Sequence, residues 1–167
     1  SDDADDCTKV NSTMRRGIFS GKTHEKDGLF ALEPLFNKYK VDLCFWAHEH
    51  SYERTWPVYN GQVMNGSYSH PYVNPKAPVH IVAGAAGCRE GHDQFNGPKG
   101  EWSAYRNSNY GYGRLRIANN THIHWEQIED VNKTIIDEIW LVKDARLHRP
   151  YTRPYSSLCD CCNLSVV

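Results

Sequence analysis

The sequence predicts a protein of the α/β class, from three patterns along the chain. Apolar residues between Leu29 and Tyr39 recur at spacings of three and four, which predicts one face of a helix. A short, mostly apolar run from Val41 to Trp46 follows at once, as expected for a buried strand in an α/β layer. Beyond Gly111 the apolar pattern becomes that of strands, which predicts an antiparallel meander.

The remaining elements follow from shorter signals. Pro34 lies inside the predicted helix, and a short first turn ahead of it or a kink would accommodate the ring. Val79 to Val82 predicts a second buried strand, and the small residues at 84–87 after it predict a tight turn rather than a phosphate cradle. Residues 55–78 predict a strand or two with long loops. The meander is predicted as strands at 112–117, 121–128 and 134–142, with a turn at Asn119-Asn120.

At 167 residues the chain has the length of one domain. Residues 1–27 are polar, lack any period and open on an acidic run, so we expect a surface loop that follows a truncated N-terminal part. Residues 28–144 hold the organised structure. Residues 145–167 carry no period and predict an irregular tail.

The charge and the apolar pattern exclude some classes of partner. Nineteen basic residues nearly cancel twenty acidic ones, so no nucleic-acid partner is expected. No stretch approaches the roughly eighteen apolar residues of a membrane helix, so no membrane span is expected. The oligomeric state is left open.

Glycosylation signals point to the secretory pathway, and hence to a secreted, lysosomal or extracellular protein. Cysteine usage agrees, because six Cys are compatible with disulfides, although Cys44 lies in an apolar run and is predicted to be a buried thiol. The pairing of the cysteines cannot be deduced. Five Asn-X-Ser/Thr sequons, more than chance would give, are candidate glycan sites: Asn11, Asn65, Asn119, Asn132 and Asn163.

The strongest chemical signal is Ala47-His48-Glu49-His50, directly after the first predicted strand. Ligand sites in α/β folds lie at the carboxyl ends of strands. Residues two apart in extended backbone point the same way, so both imidazoles can face one pocket and bind two ions about 3.5–4 Å apart. The alternative is that His48 and His50 are ordinary polar residues of a loop.

A second His-x-His sequence, at His122 and His124, has the same spacing but a different setting. It lies within an amphipathic strand whose other face would be filled by Ile123 and Trp125. These two histidines are therefore predicted to form a solvent-side row rather than to bind metal.

The segment from Val41 to Asn60, with Ser51-Tyr52-Glu53-Arg54 after the histidines, resembles the final metal-ligand motif of the purple acid phosphatases, especially of their animal branch. Pro78 to Cys88 and residues 102–112 are similar to the family's next two blocks. Asn119 to His124 resembles its glycosylated hairpin, so the resemblance covers residues 5–144.

This resemblance implies the C-terminal portion of a four-layer α/β/β/α metallophosphoesterase sandwich. It also implies that His48 binds a divalent ion (zinc, iron or manganese) and that His50 binds Fe³⁺. The family has Gly where Ala47 stands. Tyr52, Glu53 and Arg54 are predicted to orient the ligands through hydrogen bonds, the alternative being a surface ion pair beside a packed tyrosine.

The function so implied is that of an acid phosphatase that hydrolyses small phosphate monoesters at a dinuclear metal centre. The other ligands and the general acid would lie upstream, so the chain is expected to be an incomplete fragment and inactive alone. Two alternatives stay open: a non-catalytic truncated fragment that acts as a binding module, and a calcineurin-like phosphoesterase that acts on diesters or nucleotides.

Overall fold

A computed structural model describes residues 32–47, 49–87 and 89–144 of the chain. Within these ranges there are one short helix and nine strands. They are α1 (Glu33–Lys38), β1 (Leu43–Trp46), β2 (Tyr52–Thr55), β3 (Val58–Tyr59), β4 (Gln62–Val63), β5 (Val79–Ala83), β6 (Ser103–Asn107), β7 (Gly111–Asn119), β8 (His122–Glu129) and β9 (Ile135–Val142).

The first sheet is mixed and has the order β1-β5-β2-β6. Strands β1 and β5 are parallel, and β2 runs antiparallel to both β5 and β6. The predicted strands at 41–46 and 79–82 are thus confirmed as β1 and β5, although β1, predicted to be buried, is only partly so, since Phe45 is 44% exposed. A separate hairpin of β3 and β4 lies in the segment 55–78, as predicted.

The second sheet is the predicted antiparallel meander, in the order β7-β8-β9. Asn119 ends β7 and leads into a tight turn, where its side-chain Oδ1 accepts hydrogen bonds from the Thr121 N–H (2.9 Å) and hydroxyl (2.8 Å). Asn119 is exposed there, although its glycosylation stays a prediction.

Helix α1 begins at Glu33, so Pro34 lies in its first turn, where the missing N–H costs no hydrogen bond. Phe36 packs towards the first sheet, with ring centroids 6.1 Å from Trp46 and 6.4 Å from His80. The predicted start at Leu29 lies outside the described residues. No kink is needed within α1, because the proline occupies its start.

The described elements form three layers, which are α1, the first sheet and the second sheet. Side chains alternate along β5, so Val79 and Ile81 face the second sheet while His80 lies against Phe36 of α1. Both faces of β5 are buried. The core between the sheets consists of Tyr52, Val79, Ile81, Trp125, Ile139 and Leu141.

Strands β2 and β6 were not predicted, because their sequences are polar: Tyr-Glu-Arg-Thr and Ser-Ala-Tyr-Arg-Asn. All four residues of β2 are nevertheless buried. Glu53 accepts a hydrogen bond from Arg106 Nε of β6 at 2.7 Å, so these opposite charges are paired across the two strands. The pairing explains how a charged segment becomes an inner strand.

Arg54 of β2 reaches across to the second sheet and forms a buried ion pair with Asp137 of β9. Arg54 Nε donates to Oδ2 at 2.6 Å and Nη2 donates to Oδ1 at 2.7 Å, which is a bidentate pair. Tyr52 donates its hydroxyl proton to Asp137 Oδ2 (2.7 Å) and accepts a bond from Trp125 Nε1 (2.9 Å). Arg54 also donates to the Tyr72 hydroxyl.

Burial raises the pKa of the Tyr52 phenol, and the nearby Asp137 carboxylate raises it further. Burial likewise raises the pKa of Tyr72 to about 12. Both phenols therefore stay neutral. The Tyr52 hydroxyl donates to the Asp137 carboxylate, whereas the Tyr72 hydroxyl accepts from Arg54, and both oxygens of Asp137 have partners. The alternative of an ion pair beside a packed tyrosine is confirmed except for its location, because Glu53 and Arg54 form ion pairs that are buried rather than at the surface.

Cys44 is a buried free thiol, as predicted, and its burial raises its pKa to about 11. Of the predicted regions, the loop 1–27 and the tail 145–167 lie outside the described residues, as do Asn11 and Asn163. Asn132 is exposed, whereas Asn65 is half-buried. Among the described helices none is long and apolar enough to cross a membrane.

The Arg54–Asp137 pair gives a direct test of how the sheets are joined. Substitution Asp137→Asn should lower the free energy of unfolding by about 3–5 kcal/mol, because it leaves the Arg54 charge buried without its counter-ion. The matched control is Asp130→Asn, which removes an exposed pair with Lys133 and should cost at most about 1 kcal/mol. Urea unfolding measures the free energy of unfolding of both variants. An equal decrease in the two would show that Asp137 has no special role in joining the sheets.

His80 should make stability depend on pH in the acid range. Its ring is buried, and burial lowers its pKa from 6.5 to about 4. Between these values the unfolded chain binds a proton that the folded chain does not, so stability falls as the pH drops from 6.5 towards 4, by about 3 kcal/mol.

The variant His80→Gln removes this titration and keeps an acceptor for Trp46 Nε1, which donates to His80 Nδ1 at 3.0 Å. Denaturant unfolding at a series of pH values should show a shallower acid decline for His80→Gln than for the unaltered chain. The exposed His70→Gln is the control and should follow the unaltered chain. Parallel curves for all three proteins would contradict the assignment.

Candidate functional site

The candidate site lies at the edge of the first sheet where β1 and β5 both end. Because these strands are parallel, the described residues that follow them, 47 and 49–51 after β1 and 84–87 after β5, leave the sheet side by side. His50 lies in the first of these segments and is half-buried. His48 lies outside the described residues, so the expected common orientation of the two imidazoles stays a prediction.

The backbone of His50 is held on both sides by Asp93. The His50 N–H donates to Asp93 Oδ2 at 2.8 Å, and the His50 carbonyl accepts a bond from the Asp93 N–H at 2.9 Å. These two bonds fix the peptide groups on either side of the His50 Cα, and hence the direction in which its side chain leaves the chain.

Gly84 lies directly against the segment that carries His50. A Cβ on Gly84 would fall 1.8 Å from the carbonyl oxygen of Glu49, a separation that no real side chain shows. The Gly84 N–H also donates to the Ser51 carbonyl at 3.2 Å. Gly84 thus permits the close packing of the two segments, whereas a Cβ on Gly87 would meet nothing within 4 Å.

Tyr52 and Arg54 point into the space between the sheets, where they bond to Asp137. Glu53 points to the other side of the first sheet and pairs with Arg106, whose guanidinium lies over Phe95 at 4.8 Å. The geometry therefore ties all three residues to the framework beside the site. Their hydrogen bonding to metal ligands stays a prediction.

The described residues fit part of a metal centre. His50 offers an imidazole, a ligand suited to both iron and zinc, from a segment whose backbone is fixed by bonds to Asp93. Ala47, which stands where the resemblance implies a glycine, is exposed.

Sequence reasoning missed Asp93 altogether. It lies in an irregular segment 43 residues beyond His50, and no motif or period marks it. Gly84 carried a signal, since a glycine directly after a buried strand marks a turn or a close approach of backbone. Its contact with Glu49 could not be read from the sequence, because that contact depends on the parallel pairing of β1 and β5.

The second His-x-His sequence, at His122 and His124, does not form the solvent-side row that was predicted. Ile123 and Trp125 do pack against the core, as expected. His124, however, is buried rather than solvent-facing, because its ring stacks on Trp140 with centroids 4.3 Å apart and planes inclined by 10°. His122 is half-buried.

The family model and the relatives that match this chain all point to acid phosphatases. Residues 77–138 match the family model of the iron/zinc purple acid phosphatase-like protein C. The chain is 52% identical over 144 residues to acid phosphatase type 7 of Danio rerio, covering 86% of this chain and 32% of that protein. It is 50% identical over 150 residues to acid phosphatase type 7 of Homo sapiens, covering 89% and 33%.

Among solved structures, the chain is similar to the purple acid phosphatase PPD1 from yellow lupin (Lupinus luteus) seeds. The TM-score is 0.64 at 27% sequence identity, and the match covers 74% of this chain and 21% of that one. The chain thus spans about a third of the length of these two acid phosphatases. The predicted resemblance and the metallophosphoesterase fold are confirmed.

Gly84→Ala should disturb the segment that carries His50. The added methyl group overlaps the Glu49 carbonyl, and relief of such overlap costs about 1–3 kcal/mol of stability or shifts the backbone. Ala86→Ser, which adds one atom at an exposed position of the same turn, is the matched control. Thermal unfolding and the backbone NMR shifts of residues 49–51 report the effect, and unchanged shifts in Gly84→Ala would disprove the contact.

Proposed function

The chain belongs to the purple acid phosphatase family, and from this premise we propose that its protein hydrolyses phosphate monoesters at a dinuclear metal centre to which His48 and His50 each contribute one ligand. The observation that carries the proposal is the position of His50. It follows β1 at the sheet edge where β5 also ends, within a chain about 50% identical to animal acid phosphatases.

The proposed centre contains Fe³⁺, bound through His50, and a divalent ion, bound through His48. The divalent ion would be zinc, iron or manganese; imidazole suits zinc and iron, whereas manganese would depend more on carboxylate or water ligands beside His48. When bound, such a pair of ions supplies charge to hold phosphate oxygens and acidifies a water molecule.

The chain's own contribution is to hold the ligand in place. The paired bonds to Asp93 and the close packing of Gly84 on Glu49 restrict the segment that carries His50. On its far side this segment runs directly into Tyr52, which is buried between the sheets and bonded to Asp137. A ligand fixed at both ends loses little freedom when it binds a metal, which favours affinity.

Removal of either histidine should abolish the proposed activity. In the longer protein that contains this chain, His48→Ala and His50→Ala should each reduce hydrolysis of p-nitrophenyl phosphate at mildly acid pH about 100-fold or more, since even residues that only orient ligands are worth about 10–100-fold. Metal content measured in the same samples should fall. His70→Ala, at an exposed loop position, should keep both activity and metal.

Two further measurements sharpen this test. The 167-residue chain alone should show no appreciable turnover, because two histidines cannot hold two ions tightly. Bis-p-nitrophenyl phosphate, a diester, should be a poorer substrate than the monoester. Full activity in both histidine variants would remove the dinuclear assignment, and a preference for the diester would favour a diesterase.

A further inference from the structure

A cluster of three metal-ligating side chains lies on the face of the second sheet that points away from the first sheet. His124 and Glu126 are two residues apart on β8 and so project from the same face. Glu138 lies on β9 directly opposite Glu126. One ligand atom from each of the three residues lies within 4.8 Å of the other two.

We propose that His124, Glu126 and Glu138 form a zinc-binding site that joins β8 to β9. One imidazole and two carboxylates are ligands that Zn²⁺ accepts, at distances of about 2.0–2.2 Å. Ions such as Ca²⁺ and Mg²⁺ prefer oxygen ligands alone. Three protein ligands leave a fourth tetrahedral position for water.

The two carboxylates supply a physical reason for a cation here. Glu126 is 7% exposed and faces Glu138 across the strand pair, where like charges directly opposite each other are destabilising. In the structure Arg114 of β7 offsets this charge, with its Nε 2.6 Å from Glu126 Oε2. The Arg114 side chain is 59% exposed, so it can turn into solvent when a metal takes its place.

The histidine is already positioned for binding. Its Nε2 lies 2.6 Å from Glu138 Oε1, so the two groups face each other across a hydrogen bond, and zinc would take the place of the proton between them. Stacking on Trp140 fixes the plane of the ring, and His124 is only 9% exposed. Glu138 is half exposed and free to move from a direct hydrogen bond to a shared metal. Zinc would thus meet a fixed imidazole and one adjustable carboxylate, that of Glu138, beside the buried carboxylate of Glu126.

The charges that oppose binding come from β7. Arg114 and Arg116 pair in register with Glu126 and His124, respectively, and both are cations. Zinc must therefore compete with Arg114 for Glu126. If the three residues bind zinc, removal of Arg114 should strengthen zinc binding. If Arg114 and Glu126 form only a structural salt bridge, its removal should lower the stability of the fold and leave zinc binding unchanged.

The test is a Zn²⁺ titration of the 167-residue chain by calorimetry, with bound zinc counted after dialysis. The other histidines and the cysteines contribute a background that is common to all variants. Loss of a residue that merely orients a ligand costs about 10–100-fold in affinity. Glu138→Gln and His124→Gln should therefore each weaken the binding of one zinc ion at least about tenfold. Arg114→Gln should strengthen the binding of that same ion.

His122→Gln is the matched control, because His122 lies two residues before His124 on the same face and outside the cluster. It should keep the unaltered affinity. Imidazole NMR signals report the site directly: Zn²⁺ should shift the His124 ring in the unaltered chain and in His122→Gln. His124 is buried, so His124→Gln could unfold the chain. Glu138 is half exposed, so Glu138→Gln should stay folded and still test the site. Identical titrations of the unaltered chain, Glu138→Gln and Arg114→Gln would overturn the proposal.

Discussion

The buried bidentate pair between Arg54 and Asp137 is the interaction on which the arrangement of the two sheets depends. A charge taken out of water is tolerated only when its partner is present and the remaining hydrogen bonds are made. Tyr52 and Tyr72 supply those bonds, one to the carboxylate and one from the guanidinium. Because a shift of β2 by one residue would turn Arg54 to the other face, this pair also specifies the register of β2.

The same register positions the candidate site. Ser51 is buried and joins His50 to the first residue of β2, so the end of the His50 segment is fixed wherever β2 is fixed. The beginning of that segment is set by β1, through its parallel pairing with β5. Two interactions therefore set the geometry of the site: the Arg54–Asp137 pair between the sheets and the parallel pairing of β1 with β5 within the first sheet.

Apolar patterning predicted the strands that are rich in apolar residues, whether or not these residues lie in the core. Strands β1 and β5 and the three strands of the meander were predicted in this way, because period and apolarity are properties of neighbouring residues. Strands β2 and β6 could not be predicted from apolar patterning, because their burial depends on partners far along the chain. Arg54 meets Asp137 across 83 residues, and Glu53 meets Arg106 across 53. No local window contains both members of such a pair.

The two His-x-His sequences show where spacing ceases to be informative. Both place imidazoles two residues apart, yet His50 stands in a segment beyond the end of a strand, and His124 stands inside a strand against Trp140. Spacing fixes only the relative direction of the two side chains. The surroundings of each imidazole come from other parts of the chain: Asp93 and Gly84 contact the backbone of the segment that carries His50, and Glu138 of β9 contacts the ring of His124. The chemistry of a short motif is therefore a property of the sheet that surrounds it.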